Sequence, residues 1–196
     1  MRSHAGSRAR GVVAAGAVVL NTALVAPLLV IIVLGIAETA FLMKDNVALS
    51  SLVRDGGHAA ASSAALRDGD SPALGTVTAA AIARAESSLS KAEITELWIY
   101  KADAGGFPAG NPANDHFRRC ETECMAYTWD ADRQTLDYVG GQWDADDIDV
   151  CSDDLGVYMK ANHSILTGVF SQGIGISKHE TFHVTSASGS CQMVTS

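Results

Sequence analysis

No charged residue occurs between Gly11 and Ala37, and the run from Leu24 to Ile36 is almost purely aliphatic. As a helix rising about 1.5 Å per residue, this stretch extends roughly 40 Å, more than the roughly 30 Å hydrocarbon core of a bilayer requires. A secretory signal peptide has an apolar core of about 7–15 residues followed by a small-residue cleavage site. Here the apolar stretch is nearly twice as long and runs on into Glu38 and Lys44 without an A-x-A-like site. A chain of 196 residues also lacks the bulk to bury every side of such a helix. The run is therefore read as an uncleaved transmembrane helix.

The flanks orient it. Arg2, Arg8 and Arg10 precede the span, whereas the first basic residue beyond it, Lys44, stands beside Asp45. The positive-inside bias places the N-terminus in the cytoplasm and residues 45–196 outside, as a single-pass cell-membrane protein. That exterior segment carries 21 acidic and 10 basic side chains, a formal charge of −11. Such a surface argues against electrostatic binding of nucleic acid or anionic lipid. All four cysteines, Cys120, Cys124, Cys151 and Cys191, fall in it. An oxidising compartment and an even count make disulfides the default reading, with three pairings open. A bridge from the Cys120/Cys124 pair to Cys151 would close a loop of roughly 30 residues, worth about 3–4 kcal/mol.

Beyond the span, the alanine-rich, proline-free stretch from Phe41 to Leu66 predicts a helical extension ending near Asp68-Gly69-Asp70. Gly56-Gly57 runs against this, each glycine costing roughly 1 kcal/mol relative to alanine. Ser71-Pro72 reads as an N-cap and first helical residue, and Val77, Ala81, Ala85 and Leu89 recur every four residues to about Lys91. Ile94–Lys101, rich in β-branched and aromatic residues, predicts a strand. A loop over 103–119 follows, then a hairpin from Met125–Trp129 and Thr135–Val139, and an acidic loop from Asp144 to Asp154. Val157–Asn162 and Ile174–Thr185 read as further strands. Helices first and an antiparallel sheet after them give an α+β class.

Three motifs invite chemistry. His179-Glu180-Thr181-Phe182-His183 matches the HExxH zinc-peptidase signature, which needs both histidines one turn apart on a helix. The alternation around it predicts a strand, on which positions four apart are separated by roughly 13 Å. Asp144, Asp146, Asp147 and Asp149 suggest calcium, yet the glycine and glutamate of an EF-hand loop are missing, so a solvated loop or weak, irregular binding remains. The cysteines lack the paired knuckles of a zinc site. Trp98, Trp129 and Trp143 read as core or domain-edge residues. No catalytic residue, cofactor or metal ligand is assigned.

The blocks Gly16–Leu29, Gly35–Phe41 and Val53–Ala61, with the Trp98-Ile-Tyr strand, the spaced cysteines, Gly156–His163 and Leu166–Phe170, resemble the TadE-like proteins. These are minor pilins or pseudopilins of the tight-adherence (Tad) pilus system, in the form common in actinobacteria. The resemblance implies a basic leader over residues 1–16, a transmembrane helix over 17–43, a helical extension over 44–70 and an extracytoplasmic domain over 71–196. It implies cleavage by a prepilin peptidase between Gly16 and Ala17, and a helix proline, matched by Pro27. Five residues past the cleavage glycine the family usually has a glutamate, whose carboxylate is thought to meet the freed amino group of a neighbour; this chain has Asn21. Asparagine hydrogen-bonds but does not neutralise an ammonium, so an unprocessed anchor stands beside the processed form. Glu38 lies near the outer interface and does not replace that carboxylate. The expected function is a TadE-like minor pilin or membrane-anchored pilus-assembly component, partnered by other pilus or assembly subunits and not an enzyme. A membrane-anchored extracytoplasmic binding module is the alternative, and a zinc metallopeptidase acting through HETFH a third reading.

Overall fold

The computed structural model of the chain describes residues 6–65, 78–79, 81–82, 88–112, 114–142, 153–166 and 173–184. The chain divides into two compact units, Met1–Phe41 and Leu42–Ser196. One helix, α1, runs over Gly6–Ala65 and carries Pro27 in its interior. The leader-like residues from Gly6 onward are thus helical, with no break ahead of the apolar stretch. Helix continuity through Pro27 costs the hydrogen bond its missing N–H would have made.

In the second unit, five antiparallel strands form one sheet: β1 (Ala92–Ala102), β2 (Cys124–Asp130), β3 (Thr135–Gln142), β4 (Asp154–His163) and β5 (Ile174–His183). Their order is β3-β2-β1-β4-β5, so β1, the first strand in sequence, is central. Centrality explains its composition. Leu97, Trp98, Ile99 and Tyr100 are all buried, because both faces of this strand are covered.

Strand alternation sorts the side chains onto two faces. Ile94, Leu97, Ile99, Met125, Tyr127, Leu155, Val157, Met159 and Ala161 form one core with Leu49, Leu52, Val53 and Ala60 of α1 and with Ile82. Trp98, Tyr100, Cys124, Ala126 and Tyr158 face the other way, where Phe117 and Cys120 pack on them. The α+β reading of the sequence holds for helix and sheet, and each predicted strand is present within a few residues of its expected limits.

Two local features differ from expectation for physical reasons. Gly56 and Gly57, read as weakening the helix, are points where it packs closely on other parts of the domain. A Cβ at Gly56 would lie 2.7 Å from Ile82 Cδ1, and one at Gly57 would lie 1.8 Å from Phe182 Cε2. The second helix was expected to continue to about Lys91. Thr78, Ala79, Ala81 and Ile82 are helical, but Leu89, Ser90 and Lys91 are not. The N–H groups of Ser90 and Lys91 are instead drawn to the Asp45 carboxylate, at 2.7 and 3.0 Å. Ser71, Pro72 and most of that expected helix lie outside the described residues.

The hairpin turn between β2 and β3 is set by Asp130, whose Oδ1 accepts from Asp132 N at 2.9 Å and Arg133 N at 3.0 Å. β3 continues past Val139 through Gly140-Gly141 to Gln142, with a bulge opposite Ala126/Tyr127. Glycine is required there, since Gly141 has φ +103° and a Cβ would sit 2.2 Å from the Cys124 carbonyl oxygen.

Candidate functional site

The surface with the clearest physical message is the N-terminal part of α1. Leu24, Leu28, Ile31, Val33 and Ile36 are each 59–70% exposed, an apolar surface that the described residues of the chain leave uncovered. The helix carries a stretch long and apolar enough to cross a membrane, and none of it is buried. Gly16 and Ala17 lie within α1, Asn21 is exposed on it, Pro27 is inside it, and Glu38 is half-buried. The hydroxyl of Thr39 donates to the Gly35 carbonyl at 2.8 Å and so is satisfied within its own helix.

Past the apolar stretch, α1 meets the sheet at Asp45. This carboxylate is fully buried and accepts from Ser90 N and Lys91 N while its Oδ2 lies 2.7 Å from His163 Nδ1. Burial opposes its charge, but the hydrogen bonds from Ser90, His163 and Lys91 prevail and hold the carboxyl below the ordinary aspartate range. One side chain thereby ties the helix to the start of β1 and the end of β4. Nothing in the sequence analysis pointed to it. The available signal was an acid placed four residues before Leu49 and seven before Leu52, on the apolar face.

On the opposite face of the sheet, residues 103–112 and 114–123 form a braced cover. Asp103 Oδ1 accepts from Gly105 N and Phe107 N at 2.8 and 3.0 Å, and the Tyr100 hydroxyl donates to the Gly106 carbonyl at 3.0 Å. Asn111 clasps Arg119 through both its amide and its carbonyl, at 2.8 and 3.2 Å. Cys120 and Cys124 close the cover with a disulfide. Of the pairings left open, the structure thus joins the two near cysteines; the loop to Cys151 is not the one closed. The short loop lowers the chain-entropy contribution to about 2 kcal/mol. Cys151 and Cys191 lie outside the described residues. Beneath the cover, Phe117 stacks on Tyr158 at 4.1 Å and Phe107 on His116 at 3.7 Å. Burial raises the Tyr100 and Tyr158 hydroxyls above the ordinary phenol range and pushes Tyr127, on the other face beside Tyr138, up to about 12.

The HETFH segment is the C-terminal half of β5, so its histidines stand on a strand and not one helical turn apart. Each letter has its own neighbour. His179 sits 5.0 Å from Phe117 and 5.3 Å from Phe107, measured between ring centres. Glu180 pairs with Arg54 at 3.1 Å, and Thr181 lies under Gly106. Phe182 packs on Gly57 and meets the His58 ring edge-on at 5.3 Å, while His183 Nδ1 lies 2.8 Å from Asp154 Oδ1. Among the described residues no three His, Cys, Asp or Glu side chains converge as a metal site. Trp98 is buried, with its Nε1–H donating to Glu96 at 2.6 Å, and Trp129 packs at the core margin. Trp143 and the acidic positions 144–149 lie outside the described residues; at the loop's end, Asp153 pairs with Lys101 at 2.9 Å.

No family model, no curated protein and no solved structure matches the chain.

Proposed function

We propose that the chain is a membrane-anchored component of a pilus-type assembly, of the TadE-like minor-pilin kind, working through contacts between subunits. The observation that carries this reading is the dual use of one helix. Over Leu24–Ile36, α1 exposes an aliphatic surface, and over Leu49–Ala60 the same helix supplies the core of an α+β domain. An anchor that only tethers a domain does not need to form part of its core. A helix whose first part is apolar and exposed and whose later part packs into the domain core suits a subunit that is placed by its span and recognised by its domain. The sequence blocks around Gly16, Pro27 and Glu38 support the same reading.

The test is to recover the protein from membranes of its native host and determine its first residue by mass spectrometry, together with its co-purifying partners. Ala17 as first residue with pilus subunits in the eluate is the expected result. Residues before Ala17 retained, with those partners present, assigns it as an unprocessed assembly factor. Retention of those residues with no pilus component in the eluate defeats the proposal and leaves the anchored binding module.

A further inference from the structure

The sheet ends at β3 on one side and at β5 on the other, and the two edges differ. An edge strand presents unpaired N–H and C=O groups along its outer side, and native chains ordinarily blunt such an edge with proline, a bulge or charge. β3 is blunted by its bulge and by Gly140-Gly141. β5 contains no proline and pairs with β4 from Ile174 to His183 without a register shift. Among the described residues no backbone group outside β4 bonds to it. Its central charges are Lys178 and Glu180, on one face of the strand. Lys178 is half-buried and makes no ion pair among the described residues, whereas Glu180 holds Arg54 through Oε1 at 3.1 Å. Centred on His179, the strand has the same residue classes in both directions: Ile176 mirrors Phe182, Ser177 mirrors Thr181, and Lys178 is mirrored by its opposite charge, Glu180.

We propose that the outer edge of β5 pairs antiparallel with β5 of a second copy, about a two-fold axis at His179. In an antiparallel pair, directly opposite side chains share a face and lie about 4.5–5.5 Å apart. The register that sets His179 against the partner's His179 also sets Lys178 against the partner's Glu180, and Glu180 against the partner's Lys178. Each copy thereby supplies the counter-charge that Lys178 lacks in its own chain. Glu180 keeps Arg54 as well, because a carboxylate accepts at both oxygens. Ile176 meets the partner's Phe182 on the same face, and Ser177 meets the partner's Thr181 on the other. A two-residue slip, the smallest that keeps the same faces together, would set Lys178 against Lys178 or Glu180 against Glu180. The charges therefore fix the register, and they repel strands that lack the complementary order. The contact is isologous, joins two five-stranded sheets into one, and involves no residue of the apolar stretch of α1. It does not depend on the pilus reading.

The test uses the full chain in dodecyl maltoside micelles, as two populations carrying different affinity tags at the N-terminus. Capture of one population by the other is followed across a dilution series, together with amide hydrogen exchange over 175–183. The expected result is co-capture that falls on dilution, with slower exchange over 175–183 in the concentrated sample. Lys178→Glu and Glu180→Lys should each raise the dissociation constant about 5- to 30-fold, because attractive pairs become repulsive ones on both sides of the axis. An equimolar mixture of the two variants should recover association, since every opposed pair is then Glu against Lys. Recovery in the mixture also shows that both variants are folded, and no role of these residues within a single chain would produce it. Fast exchange over 175–183 at every concentration with no co-capture overturns the proposal. Co-capture that neither charge reversal changes places the association on another surface and overturns it too. Weakening by both variants with no recovery in the mixture overturns the charge-set register.

Discussion

Asp45 and His163, 118 positions apart in sequence, are both fully buried and lie 2.7 Å from each other. The carboxylate also receives two backbone N–H groups, so its removal takes a hydrogen-bond partner from three groups at once. Asp45→Ala should lower stability by about 3–5 kcal/mol, the loss of a buried carboxylate together with the hydrogen bonds it makes to Ser90, Lys91 and His163. Asp45→Asn preserves shape and one acceptor and should cost about 1–3 kcal/mol. Denaturant titration of the detergent-solubilised chain, followed by tryptophan fluorescence, measures both. Equal stability of Asp45→Ala and wild type would show that the pair does not hold α1 to the sheet.

Gly57 gives a test in which helix propensity and packing predict opposite signs. Alanine gains roughly 1 kcal/mol over glycine in a helix interior. At this position, however, its Cβ would fall 1.8 Å from the Phe182 ring. Overpacking of a filled core costs about 1–3 kcal/mol, so Gly57→Ala should be net destabilising. Pairing it with Phe182→Leu should recover part of the loss, which a double-mutant cycle reads directly. A stabilised single variant would mean that the ring moves aside freely.

The contrast between these two sites explains what could be read in the sequence. The strands were legible because Ile94–Lys101, Val157–Asn162 and the hairpin arms carry their signal locally, in alternation and β-branched content. Even the strand nature of HETFH followed from its neighbours. The early end of the second helix was not legible, since it depends on Asp45 capturing Ser90 N and Lys91 N from 45 and 46 residues away. The glycine pair at 56–57 likewise has a local meaning, weak helix, that tertiary contact with Ile82 and Phe182 reverses. Cysteine pairing depends on spatial approach, and the cover brings Cys120 to Cys124 with a Cα separation of 5.3 Å.

That bridge is directly checkable. Non-reducing peptide mapping should recover Cys120 and Cys124 in one linked product. Cys120→Ser should lower stability by about 2 kcal/mol or less, because the closed loop is short. The loss should concentrate in the cover, seen as faster amide exchange over 107–119 with little change in β1. Linkage of Cys120 or Cys124 to another cysteine would refute the pairing.

His179 supplies a pH dependence whose sign follows from its surroundings. Burial against Phe107 and Phe117, reinforced by the neighbouring His116, lowers its pKa below the ordinary imidazole value of 6.5. The folded chain therefore holds His179 neutral at pH values where the unfolded chain has begun to protonate it. Stability from this source is complete above about pH 6.5 and is lost as pH falls through the lowered folded value. Thermal melts of the solubilised chain should thus show a lower midpoint at pH 5.5 than at pH 7.5. His179→Gln removes the titration while leaving His116, Asp115 and Glu96 in place, so its midpoint should fall less between the same two pH values. Identical pH slopes for variant and wild type would place the acid sensitivity elsewhere, at the buried Asp45 carboxylate.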